Sequence, residues 1–401
     1  MDPLPQDLSR AGTVIVGMSG GVDSAVAALL LLHEGFTVQG LFMSNWEDDG
    51  DAYCTTAADF QDARRTCDSL GIPLHRVSFA AEYRARVFAH FLREYAAGRT
   101  PNPDVLCNRE IKFGVCLDYM HRLGASRIAT GHYARLRHSP DGTQLLKAAD
   151  SAKDQSYFLH SVSPAALAGT LFPLGALRKD EVRRRAHAAG LAVFDKPDST
   201  GICFIGERPF EQFLSRHLCT AAGPIENAEG EVIGEHRGLA LYTLGQRSGL
   251  RVGGRAGAAA APWYVAAKDA ARNALIAVQD PEHPLLMSDS FDVVELRWQS
   301  PRPALEDDFE CAVKTRYRQA DLACRVHLDS GGRAQVQLRE PARAVTPGQY
   351  AVFYDGEVCL GGGVIERRRN SSAAAPRTAT SRDAPAARDF TIIDVFRQEG
   401  P

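Results

Sequence analysis

The 401-residue sequence contains no run of about 18 apolar residues, so it offers no helix that would cross a bilayer. Its longest apolar stretch, residues 25–32, has the length of one short helix. The opening residues, MDPLPQDLSRAG, lack the basic-then-apolar layout of a secretion signal, and the chain reads as cytoplasmic. None of the nine cysteines sits in a C-x-x-C pair, and nine is an odd number. Both facts argue against a zinc ribbon and against a secreted disulfide framework. Excess charge is missing too. Lys and Arg number 46 against 49 Asp and Glu, a net −3, which excludes a bulk polycation but leaves room for a local basic face toward RNA. What is present, 45% hydrophobic and 24% charged residues, is ordinary for a globular protein. At about 150 residues per domain the length predicts two or three domains.

The first 130 residues alternate strand and helix. Residues 13–18 form a β-branched run, 24–33 a helix closed by Gly35, and 38–43 the next strand. Residues 56–70 are amphipathic at helical period, 74–79 alternate as a strand, and 82–97 and 111–123 read as helices. Strands separated by helices predict an α/β fold, a Rossmann-like parallel sheet with its ligand site at the carboxyl ends of the strands. From about Phe210 glycine becomes frequent and helical period is lost. Residues 249–262 read as a mobile loop, and 291–366 as a small antiparallel β-barrel with turns at Asp329-Ser330-Gly331 and Asp355-Gly356. The expected division is a flexible 1–12, a catalytic domain 13–209, a small central domain 210–285, a C-terminal barrel 286–366 and a disordered tail 367–401. Within that tail, 390–396 is apolar enough to dock. Cys67, Cys311 and Cys324 fall on apolar periods and read as core.

Ser19-Gly20-Gly21-Val22-Asp23-Ser24 lies between a predicted strand and helix. The glycines let backbone approach a ligand, the N–H groups at the helix start face an anion, and Ser19 and Ser24 add hydroxyls. No Lys follows in the G-x-x-x-x-G-K-[ST] pattern, so this is not the usual NTPase loop. Asp23 in an anion pocket makes sense only if it holds Mg²⁺ or sets the loop's geometry.

Two cysteines lie off any apolar period. Residues 102–108, NPDVLCN, read as a polar loop kept extended by Pro101 and Pro103, with Cys107 near the start of the helix at 111, where a thiolate is favoured. Residues 198–204, DSTGICF, form a second loop around Cys203.

The hexapeptide resembles the pyrophosphate loop of the PP-loop ATPases. With GLFMSNWED (40–48), TPNPDVLCN (100–108), ATGHYAR (129–135), KDQSYFL (153–159), DSTGICFIGER (198–208), YTLGQRSGL (242–250), VKTRYRQ (313–319) and AVTPGQYAVFYDGEVCLGGG (344–363), the chain from Val14 to Glu366 resembles the bacterial tRNA-specific 2-thiouridylases. The resemblance implies that ATP, with Mg²⁺, adenylates O2 of uridine 34 in tRNA, and that sulfur then replaces that oxygen. It places ATP on Gly17, Met18, Ser19, Gly20, Gly21, Val22, Asp23, Ser24, Met43 and Gly131. It assigns Cys107 as nucleophile and Cys203 as persulfide carrier, joined transiently by a disulfide. Asp104 is left either as a general acid or base or as a turn-capping residue. Asn102, Pro103 and Asp104 would line the target base. His132, Lys153, Asp154, Gln155, Arg316, Tyr317 and Gln349 would contact tRNA, with Arg316-Tyr317 on an outward strand face of the barrel. Implied partners are the Lys, Glu and Gln isoacceptors and sulfur-relay proteins fed by a cysteine desulfurase.

Rival readings are a PP-loop ligase acting on a small carboxylate, and a non-catalytic tRNA binder. The ligase leaves both thiol loops and the barrel unexplained, and the intact Asp23, Cys107 and Cys203 speak against the binder. Cys107, Cys203 and Asp104 as ligands of an iron–sulfur cluster remain a third option.

Overall fold

Four strands carry the catalytic half: β1 (Thr13–Gly17), β2 (Thr37–Ser44), β3 (Leu74–Ser78) and β4 (Ala125–Ala129). With the short strand Thr170–Leu171 they form one parallel sheet in the order β3, β2, β1, β4, Thr170–Leu171. A central parallel strand is buried on both faces, which is why β1 is the unbroken apolar run Val14-Ile15-Val16. Alternate residues feed two cores. Val14, Val16, Val38 and Phe42 pack with the helices α1 (Val22–His33) and α2 (Thr56–Leu70). Ile15, Leu41 and Ile128 pack with Tyr83, Phe88, Phe91, Ile111 and Met120 on the opposite side. The strand ends therefore line up at Gly17, Met43 and Ala129, and the loops that follow them share one edge of the sheet.

The structure is a computed structural model and describes residues 12–46, 56–198, 210–218, 220–252, 261–299 and 308–370. Cys203, the 253–260 part of the expected mobile loop, and the tail from 371 with its 390–396 segment lie outside the described residues.

After the sheet, strands Gly223–Glu226, Val232–His236, Tyr264–Asp269 and Ala274–Val278 make a four-stranded central sheet. Six antiparallel strands follow, from Met287–Trp298 to Val358–Arg369. They close into a barrel because Met287–Trp298 pairs with both Ala334–Arg343 and Val358–Arg369. The last strand runs to Arg369, beyond the expected end at Glu366, because Arg367 and Arg369 reach Asp292 and Arg368 donates to the carbonyls of Ala266 and Leu285. A catalytic-domain hairpin, Arg135–Ser139 with Gly142–Leu146, joins the barrel sheet at Leu146 opposite Val358. Beside it Lys147 donates to Asp321 at 2.5 Å and to the Gly356 carbonyl at 2.9 Å.

Cys67 and Cys324 are buried core residues, as their periodicity predicts. Burial pushes the Cys67 thiol up to about 11, so it stays protonated. Cys311 is only half-buried and faces Cys324 across the strand pair, sulfur to sulfur at 3.6 Å.

Candidate active site

The loop after β1 has the backbone an anion site needs. Gly20 has φ +76°, and a Cβ there would lie 2.2 Å from the Asp59 carbonyl oxygen. Gly21 is the N-cap of α1 and supplies no side-chain cap, so the first-turn N–H groups and the positive end of the helix are left for a ligand. Gly131, after β4, closes over this turn: a Cβ would sit 2.8 Å from Asp23 C and from Ser24 N. Met43 and Thr130 flank Gly17 at the neighbouring strand ends. Two expectations change. Ser24 is buried and its hydroxyl donates to the Gly21 carbonyl at 3.0 Å while accepting from Ser19 N at 3.1 Å, so it braces the loop from inside. The Met18 and Val22 side chains are buried in the core, so these residues can offer only backbone.

The lysine missing from the loop arrives from elsewhere. Lys179, at the start of the helix Lys179–Ala188, donates to both oxygens of Asp23 at 2.7 and 2.8 Å and reaches Asp198 at 2.8 Å. The Tyr133 hydroxyl donates to Asp23 Oδ1 at 2.7 Å. Burial, then the Asp23 charge, pushes that phenol far up, so it remains a donor. Lys196 lies on the other side, donating to the Gly20 carbonyl at 3.0 Å and to Asp59 and Asp62 at 2.8 and 2.6 Å. Burial works to lower the Lys196 pKa, but the two carboxylates outweigh it and hold the amine above its ordinary value. Asp198 opens the Cys203 segment. Burial works to raise its pKa, but Lys153 at 2.5 Å and Lys179 prevail and hold it at about 2. The phosphate loop and the start of the second cysteine segment thus share one ion-pair network. Neither Lys179 nor Lys196 lies in a motif; the sequence signal was only their positive charge.

Around Cys107 the expected loop is helix. Asn102 caps it by accepting from Asp104 N at 3.2 Å, Pro103 occupies the first turn, and the helix runs to a kink at Gly114, beyond which a second helical stretch reaches Arg122. An Asx cap followed by proline is a helix start, and that outweighs the extended bias the prolines give the residues before them. Cys107 does sit near a helix N-terminus, but it is fully buried. Asn45, at the end of β2, donates to its sulfur at 3.8 Å. Asn45 Oδ1 and Asn108 Oδ1 are buried with no hydrogen-bond partner among the described residues, a cost of roughly 1–3 kcal/mol each. Asn108 Nδ2 donates to the Phe158 carbonyl at 3.2 Å.

The chain matches three family models: the tRNA methyl transferase HUP domain over residues 12–207, its PRC-barrel domain over 211–279, and the aminomethyltransferase beta-barrel domain over 288–365. It is 57% identical over 365 residues to the tRNA-specific 2-thiouridylase MnmA of Chromohalobacter salexigens, covering 91% of this chain and 95% of that one. The protein of the same name from Bordetella pertussis is 55% identical over 372 residues, covering 90% of this chain and 100% of its own. The chain belongs to the tRNA-specific 2-thiouridylase family. Among solved structures, the U34-tRNA thiolase NcsA from Methanococcus maripaludis with its [4Fe-4S] cluster is a distant likeness at 18% identity and TM-score 0.33, covering 51% of this chain and 64% of that one.

In this thiouridylase the residues expected at tRNA are held in different ways. Asp154 is buried and structural: it accepts from Ala148 N and from Ser156 N and Oγ. Lys153 and Gln155 flank it, with Gln155 Oε1 accepting from Tyr133 N at 2.9 Å. His132 packs against Phe113 and Phe172, and Thr130 Oγ1 lies 2.7 Å from its Nδ1. Burial, then Lys112, pushes the His132 pKa well down, so the ring is neutral. Arg316 and Tyr317 are not on a strand face. They occupy the hairpin turn between Asp308–Lys314 and Leu322–Leu328, because Gln319 Oε1 accepts from Thr315 N, Thr315 Oγ1 and Arg316 N and curls the chain there. Tyr317 packs on Phe158 at 4.4 Å between ring centres. Arg316 Nη2 turns inward to the carbonyls of Leu244 and Ala344 and to Thr346 Oγ1, at 2.7–3.0 Å. Gln349 Nε2 donates to the Thr100 carbonyl at 2.8 Å.

No helix among the described residues is long and apolar enough to cross a membrane.

Proposed function

We propose that this thiouridylase uses ATP to adenylate O2 of the wobble uridine of tRNA and replaces that oxygen with sulfur carried as a persulfide on Cys203. The observation that supports it most is the shared network Asp23–Lys179–Asp198, which ties the phosphate loop to the start of the Cys203 segment. A carbonyl oxygen of a pyrimidine is a poor leaving group, and AMP on O2 makes it a good one. ATP would lie along Gly17–Ser24, with Gly131 and Met43 toward the adenosine. Mg²⁺ would arrive on the phosphates; Asp23, the loop's carboxylate, accepts from Lys179 on both oxygens and from Tyr133 on Oδ1, and would meet the ion only as Lys179 moves to a phosphate oxygen. The ion neutralises phosphate charge when bound. Lys179 and Lys196 would meet phosphate oxygens, as preorganised cations do in phosphoryl and adenylyl transfer.

The outer sulfur of the Cys203 persulfide bonds to C2, and AMP leaves with the original oxygen. Cys107 thiolate then attacks the Cys203 sulfur, the S–S bond breaks, 2-thiouridine is released and a Cys107–Cys203 disulfide remains. In the alternative order Cys107 first displaces hydrosulfide from the persulfide. Either route requires the 102–108 helix to open, since Cys107 is shut from solvent here. Asp104, three residues earlier on the same helix, would be the general acid or base in this reading. The cytoplasm, the Lys, Glu and Gln isoacceptors, and sulfur relay from a cysteine desulfurase complete the reading.

The test is conversion of unmodified tRNA by the full chain with ATP, Mg²⁺ and a persulfide-level sulfur donor (cysteine with a cysteine desulfurase), read by nucleoside mass. A tRNA-dependent 2-thiouridine product and pyrophosphate support the reading; pyrophosphate released with a small acid instead of tRNA points to a ligase. Iron measured in the same anaerobically purified enzyme separates persulfide from cluster chemistry.

Arg316 gives a second expectation. Its side-chain hydrogen bonds among the described residues run through Nη2, and in this reading the rest of the guanidinium meets phosphate, so Arg316→Ala weakens tRNA binding and lowers the log–log salt slope by about one. An unaltered slope, measured by filter binding over a salt series, would confine Arg316 to the clasp on Leu244 and Ala344.

A further inference from the structure

The helix before the Cys107 segment ends at Ala96, and the chain then passes through Gly98, Arg99 and Thr100 before reaching Pro101. Both C-terminal domains grip these residues. From the central domain, Lys268 Nζ donates to the Gly98 carbonyl at 3.1 Å, and Thr243 Oγ1 lies 3.4 Å from Thr100 Oγ1. From the barrel, the Pro347 carbonyl accepts from Thr100 N at 3.0 Å, and Gln349 Nε2 donates to the Thr100 carbonyl at 2.8 Å. Both backbone groups of Thr100 are therefore spent on the barrel. Gly348 fits with φ +91°, and a Cβ there would stand 2.8 Å from Thr100 N and 2.9 Å from Arg99 Cβ. Arg99 is held in turn by Glu94, through Nε at 2.6 Å. Arg316 locks the gripping segments to one another, since its Nη2 reaches Leu244, next to Thr243, and also Ala344 and Thr346, next to Pro347.

Two features mark this contact as more than packing. Burial lowers the Lys268 pKa to about 8, and its partner is a neutral carbonyl, a cost that a methionine of similar shape would not carry. Gly348 has room for no side chain against Thr100. Both are expensive choices, and both act on the last residues before the helix that bears Asp104 and Cys107.

We propose that residues 98–100 are a junction through which the central domain and the barrel set the position of the Cys107 helix, with Lys268 and Gly348 as positioning residues. The inference rests on the reading of Cys107 as the sulfur-transfer thiol. It gives the central domain and the barrel a part in the chemistry itself, because they hold the fixed end from which the Cys107 helix must open.

The experiment compares wild type, Lys268→Met, Gly348→Ala and Cys107→Ser as full chains, measuring kcat and KM for tRNA in thiolation, pyrophosphate release, tRNA affinity and Tm. For Lys268→Met the inference expects kcat for 2-thiouridine to fall roughly 10–100-fold, with KM for tRNA, tRNA affinity and pyrophosphate release unchanged and Tm not lowered. Gly348→Ala shows the same split; if it fails to fold, Lys268→Met decides alone. Wild-type kcat in Lys268→Met overturns the inference, and so does a loss confined to tRNA affinity, which would make Lys268 an ordinary RNA contact. Normal thiolation by Cys107→Ser would instead overturn the reading of the nucleophile, whatever Lys268→Met does.

Discussion

Cys107→Ser and Cys203→Ser are each expected to abolish 2-thiouridine formation while tRNA binding stays intact. A serine at 203 cannot carry a transferable sulfur. A serine at 107 cannot break the sulfur–sulfur bond that holds the base to the enzyme. The expected loss is complete within detection, because a missing nucleophile is not replaced by neighbours. Tm should fall for Cys107→Ser, since that thiol is fully buried in the core and a hydroxyl there adds a polar group to satisfy. Denaturing electrophoresis separates the two orders of reaction. If the base-bound adduct forms first, Cys107→Ser traps tRNA covalently in a band that thiol reductant releases. If hydrosulfide is freed first, no band forms and the Cys203 persulfide accumulates. Wild-type amounts of 2-thiouridine from either variant would remove the two-thiol mechanism.

The second large effect is at the phosphate loop. Asp23→Ala and Lys179→Met should each reduce tRNA-dependent pyrophosphate release by roughly 100-fold or more. The thiols should still react with alkylating agents in the unfolded chain, which shows that both are reduced and unmodified. Lys179→Met has the wider effect of the two. It removes the cation that holds Asp23 at 2.7 Å and also one of the groups holding Asp198, so the start of the Cys203 segment loosens with the loop. Asp23→Ala leaves Lys179 on Asp198 and touches adenylation alone. Unchanged pyrophosphate release in both variants would mean that the glycine turn does not bind the nucleotide.

Much of the catalytic half is legible in the sequence because its signals are local. A β-branched run followed by Ser-Gly-Gly and an apolar helix specifies a strand, a phosphate turn and a helix start by backbone requirements alone. The structure starts α1 at Val22, two residues before the start at Ser24 that the sequence predicts. The barrel is legible from alternation, and its turns at Asp329 and Asp355 are where glycine follows an Asx residue. Two segments mislead. In 102–108, proline reads as a helix breaker, although Pro103 stands at a position whose N–H a helix does not use. VKTRYRQ alternates like a strand through Arg316 and Tyr317, and nothing in the heptapeptide reveals that Gln319 folds its amide back onto residues 315 and 316.

By itself the sequence determined the chemistry available: a glycine turn at a helix start with the backbone an anion site needs, two thiols off any apolar period, and a parallel sheet to put loops at one edge. Those features depend on neighbours within a few residues, where chain geometry leaves few choices. Only the tertiary structure decided which charges serve the turn and what holds the first thiol. Lys179 is 156 residues from Asp23, and Lys268 is 170 from Gly98. At such separations no spacing rule links two side chains, and their meeting is fixed by how the sheet, the central domain and the barrel pack.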